Sequence, residues 1–414
     1  MHILLIHQAF VTISEPGGTR HHELARELVK KGHTITVIAS PVSYLTGKTS
    51  DGISNRKTKE ELEPGISLIR VYTYPALHKN FIHRVFSFLS FMISSFIAAL
   101  GVKGVDLVWG TSPPIFQGFS AWLVACLKRA AFVFEVRDLW PAFAIAIGVL
   151  KNRVLIRLSL WLEHFLYSRA VAVVVNSPGF IEHVRRKGAK HIKLIPNGAD
   201  PDMFLVKDHI LNVDDKKNPK GKFICLYAGA HGLSNDLEVI LEAAKGLEKD
   251  SGVHFILVGD GKEKPALERK AAALALKNIT FLPPVPKEEM IGVLSGSDTC
   301  IAILKPIELY KTTYPNKVFD YMAAGKPVIL AIDGVIRLVV EKANAGIFVE
   351  PGHPERMIEV IQYLKNHPRE AASMGKNGRE YIVENFNRAV ISNQLETIFL
   401  DAILTIKNKS RVDG

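Results

Sequence analysis

Cysteine is scarce in this sequence. Cys126, Cys225 and Cys300 are the whole complement of a 414-residue chain; they lie far apart and form no C-x-x-C pair. A disulfide framework and a thiolate zinc site are therefore excluded, and a reducing compartment fits. A secretory pattern is also lacking. Met1-His2-Ile3-Leu4-Leu5-Ile6-His7 has no basic stretch ahead of its apolar run and no small-residue cleavage site. No collagen-like or long coiled-coil repeat occurs. Charged residues make up 22% and hydrophobic residues 48%, which rules out a mostly disordered chain. At roughly 100–200 residues per domain, the length predicts two domains.

Positive charge is plentiful, and it is uneven. The formal net charge is +11; residues 1–205 hold 24 Lys/Arg against 14 Asp/Glu, and residues 206–414 hold 28 against 27. A basic N-terminal half suggests a polyanionic partner such as nucleic acid, an anionic membrane or a phosphorylated substrate. The alternative is a solvated surface that merely favours lysine.

The hydrophobic pattern is that of alternating strands and helices. The run at 3–6 reads as a buried parallel strand. A loop with Pro16-Gly17-Gly18 follows, then Leu24, Leu28 and Val29 at helical spacing, then a strand at 34–39. Further strands are predicted at 66–71, 107–109, 132–136, 171–175 and 193–195. The charged segment 41–63 reads as a mobile loop. Around 205–222, Asp214-Asp215-Lys216-Lys217-Asn218-Pro219-Lys220-Gly221-Lys222 marks a linker. The pattern then restarts, with strands at 223–228, 254–258, 279–282, 299–303 and 327–331, helices at 237–247 and 264–276, and one or two helices at 386–408. The prediction is an α/β chain: a domain at 1–205, a linker at 206–221, a domain at 222–385 and C-terminal helices at 386–414. Ligands of such sheets bind at the C-terminal strand edges, which in two halves can face one central cleft.

The Phe-rich segment 81–100 nearly has the ~20 apolar residues of a membrane span. Arg84, Ser87, Ser90 and Ser94 put a polar stripe along it, and it lies between strands of one α/β domain, so a span is rejected. A buried core helix and a helix dipping its apolar face into a bilayer both remain open. His78, Lys79, Arg84 and Lys103 favour the second, an anionic membrane surface contacted through 78–103.

Several loops carry candidate chemistry. Gly17-Gly18-Thr19-Arg20 follows the first strand and opens a helix, where backbone N–H groups can meet phosphate. No acidic residue ends the second strand, so a dinucleotide site is not predicted. Glu135-Val136-Arg137-Asp138 stands at the end of a strand, its charged residues placed for a ligand, or Arg137 and Asp138 for a structural ion pair. Ile195-Pro196-Asn197-Gly198 reads as a hinge. Gly229-Ala230-His231-Gly232 and Gly259-Asp260-Gly261 follow strands of the second half. Lys317 near a helix start could neutralise a phosphate, and Asp320 could hold a ribose; at this spacing the two could equally form a surface pair.

Taken together these motifs resemble the retaining GT-B glycosyltransferases of family 4, over nearly the full length. The most specific piece is Pro315-Asn316-Lys317-Val318-Phe319-Asp320-Tyr321-Met322-Ala323-Ala324-Gly325-Lys326-Pro327-Val328-Ile329; Gly17-Gly18-Thr19-Arg20, Arg137-Asp138-Leu139-Trp140-Pro141, Ile195-Pro196-Asn197-Gly198 and Gly229-Ala230-His231-Gly232 support it. They look most like the branch that builds bacterial capsule and O-antigen glycans. The resemblance implies two Rossmann-like domains, transfer with retention and without a metal or other cofactor, and C-terminal helices crossing back to the first domain. It implies donor contacts from Gly17, Gly18, Arg20, His231, Gly232, Gly259, Leu282, Val285, Thr312, Asn316 and Asp320, with Lys317 on the diphosphate and Arg137 and Asp138 beside the reacting sugar. Two departures stand out. Thr312 and Asp320 occupy places where the family has glutamates. The Arg and Lys usual after the first strand of the second domain are absent, leaving Lys317, with Arg20, Lys305, Lys311 or a protonated His231, to meet the charge.

The expected activity is transfer of a sugar, a UDP-linked amino sugar by preference, from a nucleotide sugar to a polyprenyl-diphosphate-linked acceptor. The expected location is the cytoplasm, peripheral on the inner face of the plasma membrane. A GT-B nucleotide-sugar epimerase is the alternative. Only charge favours nucleic acid, and without an aromatic-plus-basic module it is not an expected partner.

Overall fold

The computed structural model describes residues 1–44, 47, 49, 56–75, 81–204 and 221–412. They divide into two compact units: Met1–Phe10, Arg20–Pro196 and Ala389–Gly414 form the first, and Val11–Thr19 with Asn197–Arg388 form the second. The expected linker at 206–221 lies, but for Gly221, outside the described residues.

The first unit is built on eight strands: β1 (His2–Ile6), β2 (Thr34–Ala39), β3 (Thr58–Glu63), β4 (Ile66–Arg70), β5 (Leu107–Ser112), β6 (Ala131–Val136), β7 (Ala172–Val175) and β8 (Ile192–Leu194). Their order is β3-β4-β2-β1-β5-β6-β7-β8, and only β3 runs antiparallel to its neighbour. Strands β5 and β6 are buried along their whole length, and β1 from Ile3 to Ile6, as in a parallel sheet covered by helices on both faces. Strand β3 corrects the expectation of a loop throughout 41–63. An edge strand needs one neighbour only, so TKEELE can pair with β4 while its charged side chains stay in water and blunt the edge.

The tail forms one helix, Arg388–Val412. Its Ile391, Leu395, Ile398, Phe399, Ala402 and Ile403 recur at helical spacing and are buried with Ile3, Leu5 and Trp109 of the first sheet. Phe399 meets Trp109 edge-on, with ring centroids 5.3 Å apart.

Helix Phe81–Leu100 turns the serine stripe inward. Ser94 Oγ donates to Tyr72 O at 2.7 Å, and the Tyr74 N–H donates to Ser90 Oγ at 2.9 Å. Phe88, Phe91, Ala98 and Ala99 are buried, whereas Ile82, Phe86, Ile93, Ile97 and Leu100 are exposed along one line of the helix. The apolar face, not the polar one, meets solvent. The helix is long and apolar enough to cross a membrane by length and composition, as is Arg388–Lys409; the buried stripe of the latter accounts for its composition.

The second unit has β9 (Phe223–Ala228), β10 (Val253–Val258), β11 (Ile279–Leu282), β12 (Thr299–Ile303), β13 (Val328–Ala331) and β14 (Gly346–Phe348), all parallel, in the order β11-β10-β9-β12-β13-β14. Strand β14 has no counterpart in the sequence expectation, since three residues are too few to show a period. The order reverses between β9 and β12, which is where open α/β sheets bind ligands.

Candidate functional site

In the second unit, the loops leaving β9 and β10 cross at backbone contact. Gly259 has φ +146°, and a Cβ there would stand 1.9 Å from Gly229 O; at Gly261 it would stand 2.5 Å from His231 O. Only glycine allows this approach. The His231 N–H donates to Asp260 O at 2.8 Å. Lys264 Nζ donates to Gly259 O at 2.8 Å and to Leu282 O at 2.9 Å, tying the ends of β10 and β11. Leu282 thus contributes its carbonyl here, its side chain being buried in the core against which half-buried Val285 packs.

Lys317 enters from helix Asn316–Ala323. Its Nζ donates to Tyr227 Oη at 2.8 Å, lies 4.0 Å from the centroid of that ring, and stands 3.5 Å from Asn235 Oδ1. A Cβ on Gly229 would come within 2.7 Å of it. No carboxylate pairs with Lys317 among the described residues, and burial lowers its pKa to about 7. An ammonium so placed is short of negative charge, which is what an incoming diphosphate supplies.

The surface pair between Lys317 and Asp320 does not form. Asp320 Oδ1 is 2.6 Å from Lys287 Nζ, and Asp320 Oδ2 accepts from Asn316 Nδ2 at 3.2 Å. Asn316 Oδ1 is buried without a hydrogen-bond partner among the described residues. The Thr312 hydroxyl donates to Leu309 O at 2.6 Å, closing the turn Glu308–Thr312. Gly17 and Gly18, expected in the first domain, pack with the second unit instead. Both are exposed, and Gly18 has open space where a side chain would be. The Lys287 N–H holds this loop through Ile13 O at 3.0 Å.

Two expected charges are corrected. His231 is buried with neither ring nitrogen hydrogen-bonded; burial, with Lys264 and Lys317 nearby, lowers its pKa to about 4, so it is neutral near pH 7. Arg20, in the first unit, is buried against Glu135. Its Nε and Nη2 donate to Glu135 Oε1 at 3.1 and 3.0 Å, and its other donors reach Pro196 O and Ile195 O at 2.7 and 2.8 Å. Withdrawing it would strand a buried carboxylate. Lys311 pairs with Glu308 at 2.8 Å. With Lys305, Asp333 and Arg337 it lines a cavity of about 390 Å³. Gly232 and Lys305 border a second cavity of about 260 Å³, with Asp236 and Glu263.

Glu135 ends no ligand path; it anchors a buried network. Burial works to raise its carboxyl, but His21 and Arg20 hold it well below the usual carboxylate range. His21 Nε2 donates to Glu135 Oε2 at 2.6 Å. Arg137 is equally committed. It donates to Thr111 Oγ1 at 2.9 Å, to His7 Nε2 at 2.8 Å, and to the carbonyls of Ser112 and Pro113. It positions the loop rather than pairing with Asp138. The Asp138 carboxylate has no hydrogen-bond partner among the described residues, and burial, opposed by Arg137, raises its pKa to about 6. Among the described residues, no three His, Cys, Asp or Glu stand together in a way that could hold a metal ion.

Tyr227, Lys264 and Lys287 were not singled out from sequence; Glu135 was, as a charged residue at a strand end placed to meet a ligand, but its buried partners Arg20 and His21 were not. Tyr227 sits inside an apolar strand run, and Lys264 and Lys287 look like ordinary helix-start residues; only contacts distant in sequence distinguish them.

Two family models match the chain in succession. The Glycosyl transferase 4-like domain matches residues 17–198, and Glycosyl transferases group 1 matches residues 210–381. The chain is 24% identical over 356 residues to WcaI of Escherichia coli K12, named as a glycosyl transferase of colanic acid biosynthesis; the match covers 82% of this chain and 86% of that protein. Among solved structures it resembles sucrose-phosphate synthase from Thermosynechococcus elongatus, with a TM-score of 0.78, 20% identity, and 98% and 99% of the two chains covered. It also resembles HepE of Anabaena, solved with UDP and glucose, with a TM-score of 0.72, 16% identity, and 97% and 100% covered.

Proposed function

Because the chain is a GT-B glycosyltransferase, a 4-like domain followed by a group 1 domain, we propose that it moves a sugar from a nucleoside diphosphate to a polyprenyl-diphosphate-linked acceptor in surface-glycan assembly. The observation that carries this reading is Lys317, whose side-chain nitrogen stands beside crossed glycine loops with no carboxylate pairing with it among the described residues. The donor diphosphate binds there and at the exposed Gly18 backbone. Asp320 takes the ribose, and Asn316 Oδ1 is free to accept from a donor hydroxyl. A UDP-linked amino sugar is our preferred donor, and UDP in the HepE structure supports the base.

In the reaction the bond from the anomeric carbon to the diphosphate oxygen breaks, and a bond to the acceptor hydroxyl oxygen forms on the same face. Charge develops on the leaving diphosphate, where Lys317 and backbone N–H groups stabilise it without a metal. The acceptor proton passes to the departing phosphate, with the unpaired Asp138 carboxylate orienting the hydroxyl. Colanic acid assembly by WcaI supports the surface-glycan setting. The exposed face of Ile82, Phe86, Ile93, Ile97 and Leu100, with exposed Lys103 three residues beyond Leu100, supports docking on an anionic leaflet from the cytoplasmic side. The epimerase alternative has no support, as the matching models and WcaI are transferases.

The test is nucleotide release from UDP-, GDP- and ADP-sugars in EDTA, with and without bacterial lipid extract. Release that needs one donor and the extract is the expected result. No turnover of any donor with any extract would overturn the reading.

A further inference from the structure

The residue beside Asp320 is an unusual lysine. Lys287 is the first residue of helix Lys287–Ser295, after Pro286, a cap that offers no side-chain acceptor. A cation at a helix N-terminus opposes the helix dipole. Its side chain is only 7% exposed, so it also forgoes hydration. Two unfavourable placements at one residue call for a compensating contact. The structure supplies it in Asp320, 15% exposed and 2.6 Å away. The Lys287 ammonium also lies 5.4 Å from the Phe204 ring centroid.

The same residue joins three segments that carry donor-site candidates. Its N–H binds Ile13 O in the loop that holds Gly17 and Gly18. Val285 lies two residues before it in the chain. The Lys287 ammonium reaches Asp320 on the helix that holds Lys317. We infer that Lys287 is a positioning residue for nucleotide recognition, fixing the Asp320 carboxylate in the orientation that accepts the ribose hydroxyls. Lys287 beside Oδ1 and Asn316 on Oδ2 set the plane of the group.

This inference rests on Asp320 as the ribose acceptor, and the experiment separates the two. The full-length protein is titrated with UDP and 2′-deoxy-UDP, and in parallel with GDP and 2′-deoxy-GDP; the ratio of the two Kd values in the tighter-binding pair is the readout. A hydrogen bond to a charged acceptor makes that ratio about tenfold or more in the unaltered protein. In Lys287→Met, which keeps length and removes charge, the ratio falls to about twofold or less, while Lys287→Arg retains most of it. A merely structural lysine would lower both affinities together and leave the ratio alone. If Lys287→Met does not fold, Lys287→Gln, which keeps a polar group beside Asp320 but carries no charge, reads the same ratio at an intermediate value. An unaltered protein that binds ribo and deoxy forms equally overturns the Asp320 assignment. An unaltered protein that discriminates, with Lys287→Met and Lys287→Gln discriminating equally well, overturns the role of Lys287 alone.

Discussion

Raising the pH from 6 to 8 is expected to weaken nucleotide-sugar binding about tenfold, and Lys317→Arg is expected to remove that dependence. The groups around Lys317 Nζ are the Tyr227 hydroxyl and ring, Asn235, and beyond them His231 and Lys264. Burial holds the Tyr227 hydroxyl above its usual range, so it stays neutral, and His231 is already neutral because its pKa is about 4. Lys317, with a pKa lowered to about 7 by burial, is the group of this set whose charge changes between pH 6 and 8. A lowered lysine pKa means the ammonium is present below it and lost as pH rises through it. If only the ammonium form binds the diphosphate, the competent fraction falls from about nine-tenths at pH 6 to about one-tenth at pH 8, and the apparent Kd rises by the inverse ratio. Binding then restores the proton, so roughly three-quarters of a proton is taken up per ligand at pH 7.5. Calorimetry of an intact nucleotide sugar in buffers of different ionisation enthalpy measures both quantities; the diphosphate diester keeps its charge throughout this range. In Lys317→Arg the cation persists and the affinity is flat. Unchanged affinity from pH 6 to 8 with no proton uptake in the unaltered protein would refute the reasoning.

Three further outcomes are expected. Asp138→Asn lowers the transfer kcat by about 10²-fold while donor Kd is unchanged, and in the unaltered protein kcat falls below pH 6 as the raised carboxyl takes up its proton; a kinetic pH profile checks both. Gly259→Ala, whose Cβ would stand 1.9 Å from Gly229 O at φ +146°, abolishes nucleotide binding and costs about 1–3 kcal/mol of stability, read by calorimetry and thermal melting. Ile93→Glu with Ile97→Glu abolishes flotation with anionic vesicles and leaves the melting temperature within a degree or two, since these side chains are 56% and 63% exposed.

Much of the architecture was legible in the sequence because a parallel sheet covered on both faces is written as short apolar runs between turn glycines. Twelve of the strands follow that rule. Strand β3 does not, since its charged residues have no apolar face, and β14 is too short to show a period. The site was legible where backbone geometry demands a residue type. Gly259 and Gly229 must be glycines at their crossing, and a lysine in Pro315-Asn316-Lys317 is placed by its helix start. Charge pairing was not legible. From spacing alone, Arg137 with Asp138 and Lys317 with Asp320 look like partners. In the fold Arg137 turns to Thr111 and His7, Asp320 turns to Lys287, and Lys317 turns to Tyr227.

The sequence by itself determined two α/β units, a basic first half and a lysine poised at a helix start. These depend on local periodicity and composition, which a chain carries whether or not it is folded. The tertiary structure alone decided which charges are free. It buried Arg20 on Glu135, silenced His231, left Asp138 and Lys317 outside any ion pair among the described residues, and turned the apolar face of Phe81–Leu100 outward. Each of these turns on burial and on partners distant in the chain. Burial sets the cost of an unpaired charge, and only the assembled fold sets burial.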